Sequence, residues 1–312
     1  MTAYPHDRYG LIRRDAALRR GISDSCRAND VKAGQLISLI PGVNVEPSAD
    51  FDGHEGAQKL HRLRAIAVAT SEIARPLPLS HASAAAMLGL PLLKPDLARV
   101  HVTTGLPGGG SVGTVRHLHP APLDPAELRT IDGLVVTSLE RTAIDVATMG
   151  DFAQAFTAFD QALRLGADRD QMSEMLAARR RRGGKVARVA LTSATGQAES
   201  VGESWSCAQI VDARYPAPRQ QHGIRVASGS TYVTDFDWEW LVVGEFDGMI
   251  KYGRLRRPGE SIADAVIREK LREDEIRDTG PRVVRWTWND LERDAFIPRL
   301  HRRLAPLGFV AA

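Results

Sequence analysis

The chain has 312 residues and a mass of 34.1 kDa, with 43% hydrophobic and 25% charged residues, which makes it a soluble globular chain too long for one ordinary core; two or three domains are expected. Lys and Arg total 41 against 38 Asp and Glu, so the net charge of +3 excludes a general polycation, while the sequence pI near 9.0 leaves room for local basic patches. Cys26 and Cys207 are the only cysteines and lie far apart, MTAYPHDRYG lacks a signal pattern, and no apolar run approaches the roughly 18–20 residues of a membrane span; a disulfide framework, a Cys-based zinc site, secretion and membrane insertion are disfavoured, and the cytoplasm fits.

The head predicts two short helices and a hairpin. Residues 11–20 carry Leu11, Ala17 and Leu18 on one stripe, Gly21 closes that helix, and Ser23 can cap a second one running to about Ala33. QLISLIPGVNV then reads as two strands turning at Pro41 and Gly42. Helix, turn, helix and hairpin is a winged-helix order, in which the second helix enters the major groove and brings Arg27, Asn29 and Lys32 to bases or phosphates, with Arg13 and Arg14 adding charge from the first helix. A small helical bundle with solvated charges accounts for the same periodicity.

The segment EPSADFDGHEG, poor in apolar residues, marks a boundary near residue 50. The middle opens with a helix over about 58–73, followed by LSHASAAAMLGLP, where Ser80 can cap an Ala-rich helix that stops at Gly89. His81 and His101 have no partner at metal-ligand spacing and read as structural or surface residues. Strands are expected over 99–103, 114–119 and 134–137, the last running into VTSLERTAIDVA, where Thr137 and Glu140 have capping-box spacing and Arg141 and Asp145 can form an i,i+4 ion pair. Helices over 152–165 and 169–182 complete the middle. They deliver a basic run, Arg179, Arg180, Arg181, Arg182, Lys185 and Arg188, with no acid between Leu176 and Ala190. Gly183, Gly184 and TSATGQ then predict an exposed linker over 183–197. The run suits phosphate binding, and a solvated linker explains it equally well.

The tail holds the most specific chemistry. TYVTDFDWEWLVVGEFDGMIKYG alternates as a hairpin turning near residues 238–241, with Phe236 and Trp238 on one face and Asp235 and Asp237 on the other. Glu245 and Asp247 share a face of the second strand. Acid pairs on neighbouring strands repel unless a cation compensates, which points to a divalent metal with oxygen ligands; the alternative is a hairpin whose polar face is merely wet. Upstream, ESVGESWSCAQIV is helical with Glu199 and Glu203 on one face, and downstream come the amphipathic SIADAVIREKLREDEIRD and the apolar strand RVVRWTW. The tryptophans, Trp205, Trp238, Trp240, Trp286 and Trp288, all lie in this tail and are expected to build its core.

This order of helix, hairpin, helix and strand, with an acid on the first helix and more on the hairpin, resembles the PD-(D/E)XK nuclease superfamily. More narrowly, GESWS, VTDFDW, GEFDGMIKY, EKLRED and PRVVRWTW over about residues 199–291 resemble a Vsr-like domain of actinobacterial proteins. The head, LSHASAAAMLGLP and VTSLERTAIDVA resemble the AbiEi-type antitoxin family, although SLIPGVNV lacks the basic and aromatic wing residues of that family.

The resemblance implies an α+β multidomain fold class: a winged-helix module over 1–50, an α/β middle domain over 51–182, the linker, and a restriction-endonuclease-like α/β core with mixed sheet over 198–312. It assigns Asp235 and Glu245 as ligands of Mg²⁺ or Mn²⁺, with Glu203 from the first helix, the metal polarising a scissile phosphate and activating a water. The superfamily's lysine position holds Asp247; Lys251, whose hairpin fixes it better, or Lys270 on the following helix would bring the cation back, and if neither reaches, Asp247 would be a further ligand of a domain that binds without cutting. The expected activity is a metal-dependent endonuclease joined to a DNA-binding head. The rival expectation is a non-catalytic antitoxin-like regulator, with DNA and a cognate toxin as partners and a degenerate nuclease-like tail.

Overall fold

Residues 3–71, 76–226, 228–248, 261, 263–264, 267–268, 271, 275–276 and 278–311 are described by the computed structural model. The chain is an α+β protein with several sheets. It divides into unit 1, residues 1–149 and 167–184, and unit 2, residues 150–166 and 185–312.

Unit 1 begins with β1 (Ile12–Arg13), α1 (Arg14–Arg19), α2 (Asp24–Lys32), β2 (Ile37–Ile40) and β3 (Val43–Val45), the strands forming an antiparallel sheet in the order β1-β3-β2. The Ser23 hydroxyl accepts the Cys26 N–H at 3.2 Å and so caps α2. The first helix is shorter than its periodicity predicts, because Ile12 and Arg13 pair with β3 before the chain can coil, and Leu18 is left exposed. The expected boundary near residue 50 does not separate two cores. Leu11, Leu39, Ile40, Val43 and Val45 of the head are buried with Ala65, Ile66, Leu79, Val100 and Val136 in one apolar cluster. A head of about fifty residues has too little interior of its own, and α3 (Gly53–Ala69) completes it.

Beyond α3 come α4 (His81–Leu88), β4 (Val100–Gly105), β5 (Ser111–Val112), β6 (Arg116–Pro122), β7 (Leu128–Ile131), β8 (Leu134–Thr137) and α5 (Leu139–Ala147). Strand β4 runs parallel to β6, β5 is antiparallel to β6, and β7 with β8 forms a hairpin. The predicted capping box at Thr137 and Glu140 is corrected by one residue. Ser138 caps α5 by accepting the Arg141 N–H at 3.2 Å, while Thr137 Oγ1 bonds Thr142 Oγ1 at 2.7 Å.

Unit 2 takes α6 (Phe152–Arg164) away from the middle segment, whereas α7 (Arg169–Ala178) stays with unit 1. Helix α6 packs on α9 (Val201–Asp212): Ser204 donates to Asp160 Oδ2 at 2.6 Å and receives Gln161 Nε2 at 2.8 Å. The linker expected over 183–197 is instead largely helix α8 (Gly184–Ser193), with Ala187, Ala190 and Leu191 buried. Those apolar residues at three- and four-residue spacing form a stripe, which outweighs the charge run and the glycine pair. Asp160 then accepts the N–H groups of Thr195 at 2.9 Å and Gly196 at 2.7 Å, pinning the turn after α8.

The sheet of unit 2 has the order β12-β11-β10-β9, built from β9 (Arg219–Arg225), β10 (Thr231–Trp238), β11 (Val242–Asp247) and β12 (Arg282–Thr287). It is mixed, because β9, β10 and β11 are successively antiparallel and β12 is parallel to β11. Strand β9 went unread in the sequence, since RQQHGIR has little apolar alternation. Phe236, Trp238 and Trp286 are buried on one face; Trp286 donates to Ser206 of α9 at 2.7 Å and stacks near Phe296 of α11 (Phe296–Leu304), which follows α10 (Trp288–Glu292). Val243, Ile224, Val226 and Ile276 form a second apolar cluster. Gly244 is required by this packing, because a Cβ there would lie 2.7 Å from the Trp286 ring.

Candidate functional site

Two acids of unit 2, Glu203 and Asp235, come near one another where the start of α9 meets the hairpin. Glu203 stands in the first turn of α9 and is buried. Its Oε1 accepts the Ser200 hydroxyl at 2.7 Å, and its Oε2 accepts the Glu199 N–H at 2.8 Å and Gln221 Nε2 at 2.9 Å. Burial pushes its pKa up to about 7, and the negative charge of Asp235 adds to the rise. Two carboxylates therefore face one another across α9 and β10. What brings α9 this close is Gly202, where a Cβ would fall 2.0 Å from the Phe246 ring.

Asp235 Oδ2 accepts the Phe246 N–H at 2.8 Å, which ties its carboxylate to β11. One step beyond the Phe236–Gly244 and Phe236–Gln220 pairs, the register sets Asp235 between Glu245 and Gln221. Gln221 has φ +48°, unusual for a strand residue, and its amide turns to Glu203. Glu245 is level with Arg285 on β12, and Asp247 with Thr287. Glu203 on α9 thus lies near Asp235 on β10, and the strand register sets Glu245 of β11 beside Asp235, with Asp247 two residues further along β11. Such a set has the charge and oxygen-donor chemistry for a hard divalent cation. Asp237 belongs elsewhere: it is buried and bonded by Arg219 and by the Trp240 N–H at 2.7 Å, with His222 Nδ1 lying 3.1 Å from it. Lys251 and Lys270 lie outside the described residues.

Arginines cluster on β12 and α11 in the same unit. Arg285, Arg299, Arg302 and Arg303 line an open cavity of about 530 Å³ with Val283 and Val284. Arg299 is held by Asp290 at 2.8 Å and by the Arg285 carbonyl at 2.8 Å, while Arg302 and Arg303 are exposed. This group was not singled out in the sequence, because its members come from segments separated by the α10 turn.

Several expected DNA-contacting residues are committed within the fold. Arg27 is buried, donating to Asp24 at 2.8 Å and to Asn44 at 3.0 Å, so it braces α2 on β3 and is withdrawn from any groove. Arg13 bonds Asp7 at 2.8 Å and Thr70, and Arg14 pairs with Asp24 at the surface. Asn29 and Lys32 are exposed on α2. In the basic run, Arg181 turns in to Asp145 at 2.7 Å and Arg179 donates to the Pro122 carbonyl at 2.8 Å, whereas Arg180, Arg182 and Lys185 are exposed. The tail tryptophans divide similarly: Trp205, Trp238 and Trp286 are buried, Trp240 and Trp288 partly so.

Unit 1 assembles a second constellation. Arg141 is fully buried and binds both oxygens of Asp145 at 2.9 Å, together with Glu127. Beside this network stand His81 at the start of α4, His101 on β4, and His117 and His119 on β6. His101 Nδ1 and His119 Nε2 are 2.9 Å apart, and the His81 and His117 rings stack on His119 at centroid distances of 3.7 and 3.9 Å. The reading of His81 and His101 as isolated is corrected: with His119 they bring three ring nitrogens within 4.8 Å of one another. A sequence signal was available, because His117-Leu118-His119 on a strand puts both rings on one face.

No protein-family profile matches the chain. Over 183 residues it is 28% identical to an uncharacterized protein of Mycobacterium tuberculosis strain H37Rv, and equally to one of strain CDC 1551 / Oshkosh; the match spans 58% of this chain and 64% of each relative. Among the described residues no helix is long and apolar enough to cross a membrane.

Proposed function

We propose that the chain is a DNA-binding protein whose unit 2 is a Mg²⁺-dependent endonuclease, with Mn²⁺ as a working substitute. The observation that carries this reading is the nearness of the buried Glu203 on α9 to Asp235 on β10, with Glu245 of β11 beside Asp235 in the strand register. A carboxylate held near neutrality beside a second one is what a cation would relieve, since the metal favours the ionised form of both. Bound there, the ion would polarise a phosphodiester and lower the pKa of its attacking water. Glu203 is oriented by Ser200, Glu199 and Gln221, and Asp235 by the Phe246 N–H. The arginine-lined cavity at β12 and α11 offers cations for the polymer's phosphates, and Asn29, Lys32, Arg180, Arg182 and Lys185 remain exposed for the same purpose.

The test is incubation of the purified full chain with single- and double-stranded DNA in Mg²⁺ or Mn²⁺. Wild type is expected to cleave one of these and Glu245→Ala to lose at least about a hundredfold in rate, as removal of a metal ligand should. Absence of cleavage on every substrate, or equal cleavage by Glu245→Ala, overturns the reading.

A second reading is favoured by Asp247, which stands where the superfamily's lysine is expected. In it the protein is a non-catalytic, antitoxin-like regulator that binds operator DNA and a cognate toxin. It requires a salt-sensitive promoter complex without cleavage, weakened by substitution of Asn29 and Lys32. A complex indifferent to both substitutions counts against it.

A further inference from the structure

We propose that unit 1 carries a transition-metal site of the Zn²⁺ class, held by His81, His101 and His119. These rings come from the start of α4 and from two adjacent parallel strands, and each offers a nitrogen within 4.8 Å of the other two. A tetrahedral site with Zn–N bonds of about 2.0–2.1 Å needs nitrogens roughly 3.3 Å apart, so rotations of about 1 Å would bring the three into register. The backbone is already braced for it: the Ser80 N–H bonds the His101 carbonyl at 3.0 Å, and Ser83 Oγ accepts the His101 N–H at 2.8 Å. His81 takes φ +50°, a strained conformation at the first residue of α4.

The second observation is an unexplained polar arrangement. His101 is nearly all buried, its Nε2 has no hydrogen-bond partner, and its Nδ1 faces the His119 nitrogen. Two imidazole nitrogens in that position must share one proton or one metal.

The charged groups acting on the cluster are Arg99, Arg141 and Arg181 on the repelling side and Asp96 and Asp145 on the attracting side. Arg141 and Arg181 spend their charge on Glu127 and Asp145, which limits their opposition to a cation. An all-imidazole donor set selects Zn²⁺, Co²⁺, Ni²⁺ or Cu²⁺ over Mg²⁺. His119 and His117 are partly exposed, which supplies an entry path and leaves a fourth position for water or an outside ligand. The inference is independent of the nuclease reading, because it uses a different unit and a different metal class.

Tag-free, metal-free full chain titrated with Co²⁺ in excess Mg²⁺, which fills any carboxylate site of unit 2, should take up one equivalent with the visible absorption of a low-symmetry nitrogen site, displaced by Zn²⁺. His119→Gln and His101→Ala should weaken binding by more than the roughly 10–100-fold that loss of an outer-shell partner costs. His117→Ala and Glu203→Gln should keep it. If His101→Ala fails to fold by circular dichroism, the partly exposed His119→Gln still decides. No uptake by wild type, undiminished uptake by folded His119→Gln, or uptake lost with Glu203→Gln overturns the proposal.

Discussion

Arg141 illustrates how much a single side chain can carry. It is fully buried, yet its charge is answered by Asp145 at 2.9 Å and by Glu127, with the Pro122 carbonyl at 3.2 Å, and Arg181 meets Asp145 from the other side. Removing the guanidinium leaves Glu127 and Asp145 largely buried with only Arg179 and Arg181 to answer them. Arg141→Met is therefore expected to cost about 3–5 kcal/mol, the range for breaking a buried ion pair from one side. Urea unfolding of the full chain followed by fluorescence and circular dichroism measures this. A loss below about 1 kcal/mol would mean that the network carries no net stability.

At the scale of elements, the candidate acid site depends on how α9 docks on the sheet. Gly202 permits that approach, since any Cβ there would meet the Phe246 ring at 2.0 Å. Phe246 is itself seated edge-on against Trp288, with Trp205 beyond it, so the ring has little room to retreat. Gly202→Ala is expected to destabilise unit 2 by roughly 1–3 kcal/mol, the cost of overpacking, and to weaken divalent-metal binding by displacing Glu203. Adding Phe246→Leu should restore part of both. The pair forms a double-mutant cycle on melting temperature and Mg²⁺ affinity, and additive effects would show that the two positions are not coupled through this contact.

For the whole molecule, the two units should respond to pH in opposite directions. In unit 1, burial lowers the folded pKa of His61, His81, His101, His117 and His119 below the ordinary value of 6.5, to about 4 for His61 and His101. The unfolded chain binds more protons in that window, so the contribution of these groups is complete above about pH 6.5 and falls as the medium is acidified toward pH 4. In unit 2, Glu203 is raised to about 7. Its folded form holds a proton that the unfolded form has released, so its contribution is present below its unfolded value near 4.5 and is lost as pH rises through 7. Calorimetry of the metal-free chain between pH 5.5 and 8 should resolve two transitions moving in opposite senses. A common shift of both would contradict the assignment.

What could be read from the sequence was whatever repeats at short range. The hairpin alternation separated Phe236 and Trp238 from Asp235 and Asp237, Ser23 marked the cap of α2, and Arg141 with Asp145 at one helical turn formed the expected pair. These rest on backbone periodicity, which is local. The partners that complete each group lie far along the chain. Gln221 reaches Glu203 from a strand with little apolar alternation, and Arg27 is drawn inward by Asn44 on another strand. The His81, His101 and His119 cluster required α4, β4 and β6 to meet. Burial, and with it every shifted pKa, arises only once such segments pack, because desolvation depends on neighbours that spacing does not specify. The sequence by itself therefore determined most of the elements and which side chains share a face, and the tertiary structure decided which charges stay in water, which are spent on one another, and where three imidazoles meet.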